Sequence, residues 1–200
     1  MKKIIIATSN KNKLKEIEAL LSNLPITIIA QSELGVGSCE EPFDTFIENA
    51  LQKARFASKK TNLPAIADDS GICVDALNGQ PGVFSARFAG GKRDDEKNND
   101  KLLDVLSNKK NRRAYYYCAI VFIRHSKDPQ PIITEGIWQG EILSKRKGNN
   151  GFGYDSIFMD FKTDKSAAEL SPDLKNRISH RGQALQKLEQ KLKMYYEEKR

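Results

Sequence analysis

At 200 residues the chain has room for one ordinary domain, or two small lobes sharing a sheet, and its 39% hydrophobic and 30% charged residues exclude a disordered segment. No run approaches the ~20 apolar residues of a membrane span, and a net charge of +7 favours anionic partners, nucleotide or nucleic acid, without choosing between them. Three scattered cysteines, Cys39, Cys73 and Cys118, lack any CxxC or Cys/His ligand spacing and point to reduced thiols in a cytoplasmic protein.

The apolar run at residues 4–7 is shorter than the roughly 7–15 residues of a secretory core, so residues 3–8 read as a first strand. Leu14, Ile17, Leu20 and Leu21 then recur at helical spacing over 10–21, and 26–30 reads as a second strand. Residues 31–44 are irregular and carry Glu40 and Glu41. Thr45 and Glu48 match a capping box, which predicts a helix to about Lys60 with Ile47, Ala50, Leu51, Ala54 and Ala57 inward. After Pro64, residues 65–67 form a short buried-type strand ending in Asp68-Asp69-Ser70-Gly71, and an extended pattern resumes over 72–77.

Residues 78–91 hold four glycines and Pro81, a loop long enough to suggest function, and 94–106 is helical. The strongest strand is 114–124, rich in Tyr, Val, Ile and Phe, with 131–143 as its partner. Two glycine-containing segments, 148–155 and 179–182, flank a helix start at Ser171-Pro172. An amphipathic helix from about Gln183, built on Leu185, Leu188, Leu192 and Tyr195, closes the chain. Without repeats or linkers, residues 1–200 read as one α/β domain with a mixed sheet.

Three segments have the composition of a site. Thr8-Ser9-Asn10-Lys11-Asn12-Lys13 joins a strand to a helix, where backbone N–H groups and the helix dipole favour an anion, although neither a Walker A nor a dinucleotide fingerprint is present. Asp68 and Asp69 offer hard oxygen ligands suited to Mg²⁺, with Glu40, Glu41 and Asp75 as companions; an Asx turn accounts for the same tetrapeptide equally well. Gly151-Phe152-Gly153-Tyr154-Asp155 sets an aromatic ring between glycines, where a nucleobase could stack, and Ser179-His180-Arg181-Gly182 offers donors for base or phosphate oxygens.

In order, the blocks IATSNKNKLKEI, TFIENALQKA, LPAIADDSGICVDALNGQPGVFSARFAG, GFGYDSIF and SHRGQAL resemble the inosine triphosphate pyrophosphatase family, the XTP/dITP diphosphatases. The resemblance implies an α/β fold with a long central mixed sheet, flanking helices and two lobes around a substrate cleft, assembled as a homodimer. It implies hydrolysis of ITP, dITP and XTP between the α- and β-phosphates, which cleanses the nucleotide pool. Carried over by position, Thr8, Ser9, Asn10, Lys11, Asn12 and Lys13 hold the triphosphate. Asp69 is the catalytic acidic residue and Mg²⁺ partner, Ser70 touches substrate, and Phe152, Gly153, Tyr154 and Asp155 receive the base with Lys175, His180 and Arg181. A second metal carboxylate is Glu40 or Glu41. Ser9 stands where many relatives carry glycine, and the Lys- and Glu-rich end at 191–200 lies beyond the recognisable blocks.

The chemistry expected is attack of an Asp69-oriented water on the α-phosphorus, with positioning and charge neutralisation rather than a covalent nucleophile. Fixed donors and acceptors, Arg181 or His180 with Asp155, would select a 6-oxo purine over adenine. Two rivals remain at this level. A basic nucleic-acid-binding protein without turnover is suggested by the charge and by Tyr115, Tyr116 and Tyr117; against it, the lysines are scattered and no stable nucleic-acid partner is expected. A phosphatase built on the DDSG segment lacks the D-x-D arrangement of haloacid-dehalogenase-like enzymes.

Overall fold

In the computed structural model, which describes residues 2–91 and 93–197, the N-terminal isoleucine run forms β1 (Lys2–Ile6). Asn10 ends the following loop and caps α1 (Lys11–Leu21), its side chain accepting from the backbone N–H groups of Asn12 and Lys13. The chain returns as β2 (Ile26–Ala30), parallel to β1 in the register Lys2↔Ile26 to Ile6↔Ala30. Thr45 caps α2 (Phe46–Thr61) as its spacing to Glu48 predicted, and Asn62 closes that helix in the left-handed conformation. β3 (Ala65–Val74) then pairs in parallel with the other side of β1.

The sheet has seven strands in the order β2-β1-β3-β4-β5-β6-β7, with β4 (Arg113–Ile123), β5 (Ile132–Ile142), β6 (Phe158–Asp160) and β7 (Lys165–Ser166). Parallel pairing around β1 and antiparallel pairing from β5 to β7 make it mixed, as expected. Helices α3 (Asp95–Val105), α4 (Pro172–Ile178) and α5 (His180–Glu197) complete the α/β architecture.

Two compact units emerge, Met1–Asp69 with Cys118–Gly136 and Arg181–Arg200, and Ser70–Tyr117 with Ile137–His180. In the first, successive β1 side chains serve opposite faces of the sheet. Ile4 and Ile6 pack with Ile17 and Leu21 of α1 and with Leu185, Leu188 and Leu192 of α5. Ile5 and Ala7 pack with Ala50, Ala54 and Ala57 of α2, whose small side chains let the helix approach closely. The second unit has its own core of Ile72, Val74, Leu102, Tyr116, Trp138, Tyr154 and Phe158.

Several boundaries differ from the sequence reading. β1 ends at Ile6, so Ala7 and Thr8 belong to the loop. The break expected at Asp68-Asp69-Ser70-Gly71 is absent: the four residues continue β3, which excludes the Asx turn and joins two expected extended segments into one strand. Buried aspartates are tolerated in a strand when cations meet them, and Lys13 and Lys53 do so here. α5 starts at His180, three residues before the expected position, and the long loop at 78–91 contains a 3₁₀ segment, Gly82–Arg87. Of the charged C-terminal end, residues 198–200 lie outside the described residues.

Candidate active site

In the first unit, β1 has β2 on one side and β3 on the other, so the strand order reverses between β1 and β3. Such switch points open a crevice beyond the carboxyl ends of parallel strands. The Ala7 N–H donates to the Ile66 carbonyl at 2.8 Å, after which β1 leaves the ladder and β3 continues. Asp68 and Asp69 therefore lie just past the end of β1, beside the loop that leads into α1.

That loop is organised by its own side chains. The Asn10 N–H donates to Thr8 Oγ1 at 3.2 Å, and Asn10 Oδ1 accepts from the N–H groups of Asn12 and Lys13 at 3.0 and 3.4 Å. Two first-turn donors that the sequence reading offered to an anion are thus engaged by the cap. The buried Asn10 Nδ2 has no hydrogen-bond partner among the described residues. Ser9, Lys11 and Asn12 are exposed, while Thr8, Asn10 and Lys13 are half-buried.

Lys13 Nζ lies 2.9 Å from Asp68 Oδ2, which also accepts from Arg181 Nε at 3.2 Å; Arg181 Nη1 in turn reaches Glu16 Oε2 at 2.7 Å. The result is a chain of alternating charge, Lys13–Asp68–Arg181–Glu16. Burial alone would raise the Asp68 pKa, yet Lys13, Arg181 and Lys53 hold it well below the usual carboxylate range. Asp69 shows the opposite balance: burial pushes it up, Lys53 and Lys13 pull against that, Glu41 and Asp68 add to the rise, and the net shift is upward. Lys53 Nζ lies 3.3 Å from Asp69 Oδ1 and 3.1 Å from Glu41 Oε1. Burial disfavours its charge, but the attraction of Asp69, Asp68 and Glu41 outweighs this and raises its pKa. Glu40, by contrast, is exposed. Burial pushes the neighbouring Cys118 thiol up to about 12, so it stays a neutral core side chain. Cys39, Cys73 and Cys118 are all free.

The second unit contains a different constellation. Gly151 turns with φ +81°, and a Cβ there would lie 2.1 Å from Asp155 Oδ2. Only glycine lets the loop fold back onto that carboxylate. Asp155 Oδ2 accepts from the Phe152 N–H at 2.8 Å and from Lys175 Nζ at 2.5 Å, while Tyr116 Oη lies 3.5 Å from Oδ1. Lys175 comes from α4, which starts on Ser171 and Pro172 as predicted. Its ammonium stands 4.7 Å from the centroid of the half-buried Phe152 ring. His180 stacks on Tyr116 with centroids 4.6 Å apart and rings 5° from parallel. Tyr116, one of three tyrosines that suggested a nucleic-acid surface, is thus a buried core residue. Tyr154 is buried as well and donates to the Ser85 carbonyl at 2.7 Å; Ser70, directly after Asp69 on β3, is half-buried. A polar cavity of 550 Å³ lies against this loop, lined in part by Asp95, Arg146, Phe152 and Asp155.

Residues 4–191 match the Ham1 family. The dITP/XTP pyrophosphatase of Nitrosomonas europaea is 58% identical over 192 residues, covering 96% of this chain and 95% of that protein. The chain belongs to the Ham1 family. The Chromobacterium violaceum protein of the same name is 52% identical over 95% of this chain and 96% of its own length. A HAM1 protein from Coxiella burnetii has the same fold, with a TM-score of 0.92 and 46% identity over 97% of this chain and all of its own.

Within this Ham1 chain, sequence reasoning missed Lys53, Glu16, Asp95 and Asn99. Lys53 left a signal, because it stands at helical spacing from the buried Ala50 and Ala57, a lysine on an alanine face. Asn98 and Asn99, buried in the middle of α3, left another, since asparagine is a poor helix former and buried amides need partners. Glu16 left none, because its partner Arg181 is 165 residues away. Among the described residues no cluster of three His, Cys, Asp or Glu forms a metal cage, and no helix is long and apolar enough to cross a membrane.

Proposed function

We propose that the chain hydrolyses the non-standard purine nucleoside triphosphates ITP, dITP and XTP to the monophosphate and pyrophosphate. Membership of the Ham1 family and the identity to relatives named dITP/XTP pyrophosphatase support the reaction class. The observation that carries the proposal to particular residues is the gathering of Lys13, Lys53, Glu41, Asp68 and Asp69 beyond the end of β1.

Lys13 gives its charge to the triphosphate, leaving Asp68 to Arg181, and the buried Asn10 amide donates to a phosphate oxygen. Asp69 orients a water for attack on the α-phosphorus and takes its proton on a carboxylate oxygen, while pyrophosphate leaves with the bond between the α-phosphorus and its bridging oxygen. In the metal-free protein, burial raises the pKa of Asp69 above that of an ordinary carboxylate, against the pull of Lys53 and Lys13.

The residues fit Mg²⁺. Glu41 Oε1 and Asp69 Oδ1 converge on one cationic atom, Lys53 Nζ, and both are hard oxygen donors of the kind that hold Mg²⁺ with phosphate and water completing its shell. Asp69 and Glu41 would hold the ion, with Glu40 on the exposed side. Bound there, Mg²⁺ supplies charge to neutralise the phosphate oxygens.

The base stacks on Phe152, beside Gly153 and Tyr154, and Lys175, Asp155 and His180 read the 6-oxo edge. The same proposal includes a homodimer in the cytoplasm with no stable nucleic-acid partner. Turnover of ITP, XTP, dITP, GTP and ATP with Mg²⁺, followed by product analysis, tests the reaction. Pyrophosphate without orthophosphate, with adenine rejected, is expected; orthophosphate, or salt-sensitive oligonucleotide binding without turnover, would overturn it. Light scattering reads the oligomeric state.

A further inference from the structure

The loop that carries Phe152 is held by helix α3 through both polar groups of one peptide residue. Gly153 sits at φ +65°, and its N–H donates to Asp95 Oδ2 at 2.8 Å. Its carbonyl accepts from Asn99 Nδ2 at 3.0 Å. Asp95 and Asn99 are one helical turn apart, so they present an acceptor and a donor along one face of α3. A second pair at the same spacing, Glu96 and Asp100, takes Arg146 Nη2 at 3.1 and 2.8 Å, just ahead of the glycine loop. The first two turns of α3 thus grip the segment 146–153 at both ends.

The two grips are unequal. Glu96 and Asp100 are exposed, and ion pairs between exposed side chains contribute little. Asn99 is buried, 2% exposed, and Asp95 is half-buried. Burial pushes the Asp95 carboxyl up, but Arg93 and the Gly153 N–H hold it below the ordinary range, so the acceptor is ionised. Asp95 also fixes Arg93, whose Nε lies 3.0 Å from Oδ1 and whose guanidinium stands 5.9 Å from the Phe152 ring centroid. One side chain therefore places both the backbone after Phe152 and a cation near its ring.

We infer that Asp95 and Asn99 are positioning residues for purine binding, which clamp Gly153 so that the Phe152 ring is already in place when the nucleotide arrives. The inference rests on the proposed stacking of the base on Phe152. Neither residue needs to touch the phosphates, so the clamp acts on affinity and not on the hydrolytic step. An ordered loop removes the cost of fixing it on binding, which enters ground and transition states alike.

The test compares kcat and KM for ITP in Asp95→Ala, Asp95→Asn, Asn99→Ala and Phe152→Ala, with backbone amide exchange over 148–153 in the ligand-free protein. Asp95→Ala and Asn99→Ala should each raise KM about tenfold, leave kcat within about threefold and speed exchange in the loop. Asp95→Asn should return KM to within about threefold of wild type, because its amide oxygen still accepts from Gly153; a merely structural role would not predict that rescue. If Asp95→Ala fails to fold, Asn99→Ala carries the same test. A raised KM in Phe152→Ala alongside wild-type KM in both alanine variants of α3 would overturn the clamp alone. Unchanged KM in Phe152→Ala would overturn the stacking reading and the inference with it. A fall in kcat at constant KM in the α3 variants would also overturn the clamp.

Discussion

Lys53 places its ammonium 3.3 Å from the Asp69 carboxylate. Glu41 reaches the same nitrogen at 3.1 Å, so one buried cation keeps two carboxylates from repelling each other. Lys53→Gln should therefore leave an uncompensated pair. Removing one partner of a buried ion pair costs about 3–5 kcal/mol, and the partial exposure of Glu41 puts this case at the lower end. For a chain of this size that corresponds to a fall in Tm of roughly 6–12 °C. Added Mg²⁺ should recover more of the Tm in the variant than in wild type, because it restores positive charge between the same oxygens. Equal Mg²⁺ shifts in the two proteins would place the ion elsewhere.

Asp69→Asn preserves size while removing the charge proposed to take the proton from water. Turnover of ITP should fall by at least about a hundredfold, the lower end of what a general base contributes, while far-ultraviolet circular dichroism and cooperative melting persist. A folded variant with wild-type rates would remove Asp69 from the chemistry.

Asp68 gives a pH dependence with a definite sign. Its folded-state pKa lies below the ordinary value, because Lys13, Arg181 and Lys53 together outweigh burial. The stabilisation it provides is present above about pH 3.9, the unfolded value, and is lost as pH falls below that toward the folded pKa. Asp68→Asn should consequently lower Tm at pH 7, with the gap to wild type narrowing as pH is taken down to 3. A gap independent of pH would mean that packing, and not charge, makes the residue matter.

Much of the fold was legible because its signals are local. The Thr45 N-cap, the Ser171-Pro172 start and the isoleucine run of β1 are set by neighbouring residues, and each appears where the spacing put it. The strand end expected at DDSG was misplaced for the opposite reason. Two adjacent aspartates look like a turn until the cations that neutralise them are known, and Lys13 and Lys53 lie 55 and 16 residues upstream of their partners. The candidate site follows the same rule: its segments can be proposed from the sequence, but the pairing within them cannot. Nothing in SHRG shows that the arginine is given to Asp68 and Glu16 while the histidine lies on Tyr116.

That pairing separates two kinds of variant at the base end of the reaction. Phe152→Ala removes the proposed stacking surface, worth ~1–3 kcal/mol for any base before and during the phosphoryl step alike. KM for ITP should rise by roughly five- to a hundredfold with kcat little changed, and GTP should suffer alike, so the ratio of kcat/KM for ITP and GTP should stay within about threefold. Arg181 was expected to read the base, yet its Nε and Nη1 face Asp68 and Glu16. Arg181→Ala takes the guanidinium from the buried Asp68, which then has Lys13, and from the half-buried Glu16. Its effect should be a lowered Tm and a loss of kcat/KM shared by every base, whereas Asp155→Asn should change the ITP/GTP ratio, because it alters an acceptor held by Lys175 and the Phe152 N–H. Steady-state kinetics with both nucleotides in the three variants decides the matter. A strong change of ratio in a folded Arg181→Ala protein would return the guanidinium to the base, and a strong change in Phe152→Ala would mean that the ring selects the purine as well as supporting it.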